Sequence, residues 1–331
     1  MKFLPPILCL IILASAVVAQ DAATKQISSA LTDLESQLTN QSIPTDLKSQ
    51  CIQDIAAARA SLKLRRALLA LYTSRRCQIE VATFAAKPVI AGLGDAAIAS
   101  EKQRLDSVSA NTKRAPAFIL AFADAAHLEA EHYHQNSRAA EGGNAVDLLA
   151  KARATLDFEN FVRELRFAGP KLIFEWKSLE PELTKLGSSA MRTYKAAGAN
   201  ADQAEFTRLK ESIESAAELN HESKFEAALL KYLESEFYFG MIVTGAENED
   251  LQHLRERSGE LAKLMSSGNT DNSIGLLFSE IAAANLNPAS GEPTTMQLKT
   301  GVVILNRVMP GYFDYLKRMG PAVKPSKKSD P

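Results

Sequence analysis

The sequence predicts an all-α protein, on three observations. Apolar residues recur at three- and four-residue spacings along most of the chain. Alanine is used heavily, while glycine is held to 16 of 331 residues, a balance that favours closely packed helices. No stretch alternates apolar and polar residues for long enough to form a strand. The expected architecture is a multi-helix bundle or an irregular stack of helical hairpins, including two helices of about 40 residues.

The N-terminus comes first. Met1-Lys2 carries one positive charge, and Leu4 to Val18 is an apolar run of about fourteen residues, shorter than the roughly 18 a membrane span needs. Val17-Val18-Ala19 offers a small-residue cleavage site. Residues 1–19 therefore read as a secretory signal peptide, with Cys9 inside the apolar run rather than after it. The mature chain is expected to be secreted or periplasmic, with no transmembrane segment. The triplet Asn40-Gln-Ser42 is too common a pattern to say which compartment. Residues 20–319 are expected to be helical throughout, with a candidate subdivision at 169–200, and 320–331 to be a disordered tail rich in Pro, Lys and Ser.

From Asp21 to Gln41, Ile27, Leu31, Leu34 and Leu38 form one helical face. Pro44 stops that helix, and Thr45 can cap the next. Residues 46–86 hold neither Gly nor Pro, and Leu47, Cys51, Ile55, Ala58, Leu62, Leu69, Tyr72 and Ile79 keep a helical spacing, which predicts one long helix. An unbroken helix would place Cys51 and Cys77 about 39 Å apart. A bridge requires Cα atoms within roughly 7 Å. Either the run folds back near Ala60 to Leu64, where no turn residue invites it, or the two cysteines do not bond within the chain; the second is the expectation, although an exported protein would oxidise them.

Lys87-Pro88 and Gly92-Leu-Gly94 predict the next break, followed by a helix to about Ser109. Pro116 suits a first helical turn and opens a helix to Ala140, stopped by Glu141-Gly-Gly-Asn144. Further helices are expected over 145–168, over 171–186 with a division at Pro181, and over 187–200. A second long helix is expected over 201–243, and a charged amphipathic one over 247–266. The last are expected over 272–286, 295–309 and 312–319, the final two divided by Pro310-Gly311.

The ionisable residues crowd in one place, His127-Leu-Glu-Ala-Glu-His-Tyr-His134. On a helix His127, Glu131 and His134 share a face, whereas Glu129 and His132 point elsewhere. Imidazole and carboxylate ligate iron, manganese or zinc, and Glu131-x-x-His134 has the spacing used by carboxylate-bridged di-metal bundles. A second such pair is Glu218-x-x-His221, whose helical face continues through the apolar stripe Phe225, Ala228, Tyr232 and Phe239, so Glu218, His221 and Glu236 are expected to turn toward a core; Glu101, Glu180 or Glu182 would be further carboxylates. The plainer reading draws on Tyr232-Leu-Glu-Ser-Glu-Phe-Tyr-Phe239, which repeats the first segment with aromatic rings in place of histidine. By that parallel His127 and His134 are ring-sized groups packed between helices and hydrogen-bonded there.

Other chemistry is sparse. The sequence has no Gly-rich phosphate loop, no Gly-x-Ser-x-Gly elbow and no His-Glu-x-x-His motif. With 38 Lys and Arg against 39 Asp and Glu, nucleic acid is not an expected partner. The expected function is non-catalytic: an exported helical protein presenting surfaces to a protein or an apolar ligand. The alternative is a metal-binding bundle using His127, Glu131, His134, Glu218 and His221.

Overall fold

The computed structural model describes residues 7–39, 43–107, 115–167, 172, 174–198, 201–244, 249–267, 270–288 and 291–320, with side chains from residue 22 onward. Among these residues there is no strand, only an isolated bridge between Leu172 and Thr270. The fold is all-α, as the periodicity predicts. The predicted tail and the Gly169-Pro170 and Gly245 breaks lie outside the described residues.

The chain forms two compact units. The first comprises Met1–Ile119 and Ala126–Gly169, the second Leu120–Ala125 and Pro170–Pro331.

The first unit contains α1 (Ile7–Gln37), α2 (Thr45–Lys63), α3 (Ala67–Leu93), α4 (Ala97–Ser107), the later part of α5 (Ala117–Ser137) and α6 (Gly143–Glu164). The predicted inward face of α1 is buried at Ile27, Leu31, Leu34 and Leu38, each side chain contributing about 1.5–3 kcal/mol. Helix α3 packs against α1, α2 and α6.

The run 46–86 is not one helix. It folds back at Leu64–Arg66, where Arg65 adopts φ +60°. The Arg65 amide donates to Leu62 O and the Arg66 amide to Ser61 O, both at 2.9 Å. This is a Schellman turn, which usually has glycine at the left-handed position. An L-residue there costs roughly 1–2 kcal/mol, and the burial of Cys51, Ile55 and Ala58 offsets it. Folding back brings the Cα atoms of Cys51 and Cys77 to 5.3 Å, and the two form a disulfide. The expectation of unpaired thiols is therefore corrected.

A helix of about the expected length does exist, displaced along the chain. It runs 41 residues from Ala67 to Ser107, joining α3 to α4 through a single 3-10 turn at Gly94–Ala96. Pro88 lies inside α3 rather than ending it. Its ring sits on the exposed side, although an interior proline removes one helical hydrogen bond. By length and composition alone this helix is also long and apolar enough to cross a membrane, with mean hydropathy 1.4 and 28% of that window buried.

The second unit contains α7 (Glu180–Ala197), α8 (Gln203–His221), α9 (Phe225–Val243), α10 (Leu251–Ser267), α11 (Ser273–Leu286), α12 (Thr295–Val303) and α13 (Met309–Met319). The predicted 201–243 helix is likewise a hairpin. Ser223 has φ +61°, its amide donates to Asn220 O at 3.1 Å, and the Lys224 amide donates to Leu219 O at 2.9 Å. The turn after α8 thus repeats the bonding of the turn after α2. Helix α7 is continuous through Gly187, with Pro181 in its first turn rather than dividing it. At the C-terminus Thr294 and Gln297 form a capping box on α12. Pro310-Gly311 does not divide the last helices. A π turn at Ile304–Val308 carries α12 into α13, and Pro310 sits in the first turn of α13.

Candidate functional site

The face predicted on α5 is real, but each residue finds a different partner. His127 Nδ1 lies 2.9 Å from Glu159 Oε2 on α6. Glu159 is fully buried, and its other oxygen accepts from Arg163 Nε at 2.8 Å. The opposite ring nitrogen of His127 is 3.6 Å from Glu131 Oε1, outside hydrogen-bond range. His134 is buried and bonds through Nε2 to the carbonyl of Ile98 at 3.0 Å. Glu129, on another face, pairs with Arg75 of α3 and accepts from the Tyr133 hydroxyl. Burial, reinforced by the Glu129 charge, raises the pKa of that hydroxyl.

A buried carboxylate orienting one imidazole nitrogen and leaving the other for a ligand is how metal-binding histidines are commonly held. Here Glu159 is already neutralised by Arg163. Glu131 and His134 share an open cleft of about 560 Å³ with Ile98, Lys102 and Arg138. Glu101 is fully buried, with one oxygen held by Arg153 and the other facing Arg104 Nε at 3.5 Å.

Glu218 and His221 lie at the C-terminal end of α8, both exposed, and belong to the second unit, whereas His127, Glu131 and His134 belong to the first. The expectation that Glu218 and His221 turn toward a core is therefore corrected. They fall on the solvent side of α8, which buries Leu209, Ser212, Ala216, Leu219 and Asn220. Among the described residues, no three His, Cys, Asp or Glu side chains are grouped to hold a metal ion. Of the aromatic counterparts on α9, Tyr232 and Phe239 are buried and Phe237 is half-buried, and the Tyr232 hydroxyl donates to Glu236 Oε1 at 3.1 Å.

Two features of the second unit were not anticipated from sequence. The first is an apolar groove of about 470 Å³ between α7 and α8. Leu183, Leu186 and Ala190 anchor α7 inward, and Asp202 caps α8 by accepting from the amides of Ala204 and Glu205. Between the helices, Met191 and Tyr194 remain 55% and 36% exposed. Tyr194 meets Phe206 edge-on with ring centroids 5.0 Å apart. Gly187 adds no side chain to the groove, and a Cβ there would meet nothing within 4 Å. A glycine inside a helix costs about 1 kcal/mol relative to alanine, and here its effect is open apolar space.

The second is a polar cleft of about 510 Å³ lined by residues of α7, α9, the π turn and α13. Glu236 lies at its back between Tyr232 and Arg307. Burial raises the carboxyl pKa of Glu236 against the opposing pull of the Arg307 guanidinium.

Comparison with protein-family models, with curated proteins and with solved structures finds no match.

Proposed function

We propose that this is an exported protein that acts by binding rather than by catalysis, and that the groove between α7 and α8 takes a small apolar molecule. The observation that carries the reading is the groove itself. Its volume falls within the range of about 300–1,000 Å³ common to small-molecule sites. Its walls are Ala190, Met191, Tyr194, Phe206, Leu209 and Ile213, with Lys210 and Glu214 also among its lining residues. Large apolar side chains left half-exposed together mark a binding surface rather than a satisfied core. Export is supported by the charged and apolar N-terminal segment and by the Cys51–Cys77 bridge, since disulfides persist in oxidising compartments. A non-catalytic role fits the first unit, where Glu101 and Glu159 are bound up in ion pairs with Arg153 and Arg163.

The test is fluorescence titration with N-phenylnaphthylamine, an uncharged apolar probe. Wild type should bind saturably. Gly187→Leu fills the open space with a better helix former, so it should weaken binding about tenfold or more without loss of helicity. Absence of saturable binding by wild type, or equal binding by the variant, rules out the groove as the site.

A further inference from the structure

We propose that the polar cleft beside the π turn is a second ligand site, binding a small organic acid through its carboxylate, with Arg307 as the fork and Lys185 as the second cation. It is independent of the apolar groove and is built by different residues. A π turn inserts one extra residue into a helical turn and so re-aims the side chains around it, and such turns are frequent at functional sites. Here the turn is Ile304–Val308 and contains Arg307.

The packing around Arg307 depends on two glycines. A Cβ on Gly240 would stand 2.4 Å from Val303 Cγ1 and 3.1 Å from Arg307 Cδ, so glycine lets the π turn, with Val303 before it and the arginine stem, pack closely on α9. A Cβ on Gly311 would stand 3.3 Å from the Tyr232 hydroxyl oxygen. The guanidinium carbon sits 4.3 Å from the centroid of the Phe239 ring, and Nε faces Glu236 Oε2 at 2.5 Å. Among the described residues the terminal nitrogens of Arg307 meet no acceptor. They form the planar fork that matches a carboxylate.

The acids around the cleft are already engaged. Glu182 is held by Arg318 through both oxygens at 2.8 Å, and Asp314 by Lys317 at 3.0 Å. Asn306 is held by Glu249 and Arg257, and Glu236 by Tyr232 and Arg307. Lys185 lines the cleft, is exposed, and has no ion-pair partner among the described residues. What remains for a ligand is therefore cationic, and the ligand is an anion. Leu186, Pro181 and Phe239 supply apolar wall, which favours a carboxylate on a hydrocarbon body over a bare oxyanion.

The pH behaviour follows from Glu236. The ionisable groups around it are Glu182 and Lys185 on α7, Tyr232 on its own helix, Arg307 in the π turn and Asp314 on α13. Burial disfavours its charged form. Protonation of Glu236 removes the internal counter-charge of Arg307, so the acid should bind more tightly as pH falls, down to the point where the ligand itself is protonated.

The experiment is an NMR titration of the full chain at low salt with benzoate and, separately, inorganic phosphate, following the Arg307 Nε–H resonance and backbone amides. Benzoate should bind saturably and shift Arg307. Lys185→Gln, an exposed change that leaves folding intact, should weaken it about tenfold. Glu236→Gln should tighten it and flatten the pH dependence. No saturable benzoate binding, or binding indifferent to both substitutions, overturns the proposal. Phosphate binding at least as tightly as benzoate overturns the assignment to an organic acid.

Discussion

The cross-link between α2 and α3 makes the sharpest quantitative demand. Reducing the Cys51–Cys77 bond frees a segment with a sequence separation of 26, and loop-closure entropy then contributes roughly 3.5 kcal/mol less stability. Against a total stability of about 5–15 kcal/mol for a typical domain, that is a large share. The two sulfurs are buried, with exposures of 1% and 0%. The reduced wild-type protein keeps both sulfur atoms, so it comes closer than a truncated variant to isolating the cross-link contribution. The double variant Cys51→Ala/Cys77→Ala should lose about a further 1 kcal/mol for each methyl-sized void left behind. Urea unfolding by far-UV circular dichroism gives the global shift, and native hydrogen exchange at α2 and α3 amides gives the local one. Reduced and oxidised protein unfolding at the same urea concentration would refute the reasoning. So would two freely alkylated thiols in the oxidised, unfolded chain.

Three further outcomes are expected. Ser223→Gly relieves a left-handed L-residue in a turn whose hydrogen bonds glycine also makes, so thermal or urea unfolding should show a gain of about 1 kcal/mol. Glu226 has its pKa raised by burial and then by the nearby Asp124 and Asp271 charges. Its folded pKa therefore exceeds the unfolded one, and wild-type stability should fall as pH climbs from the ordinary glutamate range through the raised value. Glu226→Gln should match wild type in acid, exceed it at neutral pH and flatten that slope; an unchanged slope would count against the burial assignment. Protein purified without chelator should carry no stoichiometric iron, manganese or zinc, and Glu131→Ala/His134→Ala should alter stability alone. One metal per chain, lost in that variant, would favour the metal-binding alternative instead.

The sequence made helix faces legible wherever burial follows a single period, as at Ile27, Leu31, Leu34 and Leu38. It hid both hairpin turns because Arg65 and Ser223 occupy positions where glycine would have announced a stop. Misplacing the first turn also separated two cysteines that bond. The π turn is masked in the sequence because Pro310-Gly311 reads as a break, although proline is accepted in the first turn of α13.

At the candidate sites, spacing correctly put His127, Glu131 and His134 on one face. Their partners, Glu159 on α6 and the Ile98 carbonyl on α4, depend on tertiary packing that spacing does not encode. The α7/α8 groove is not legible in the sequence for a simpler reason. Pro181 and Gly187 read as breaks, which splits Leu183 and Leu186 from Ala190, Met191 and Tyr194, so the amphipathic face does not show as one stretch.

The most direct test of the binding function uses the methionine methyl groups as reporters. Met191 is 55% exposed beside the groove, whereas Met265 and Met319 are buried. Methyl NMR during titration with a small hydrocarbon should move the Met191 resonance saturably and leave Met265 and Met319 in place. A spectrum in which Met191 stays still while ligand demonstrably binds would place the ligand elsewhere and contradict the account.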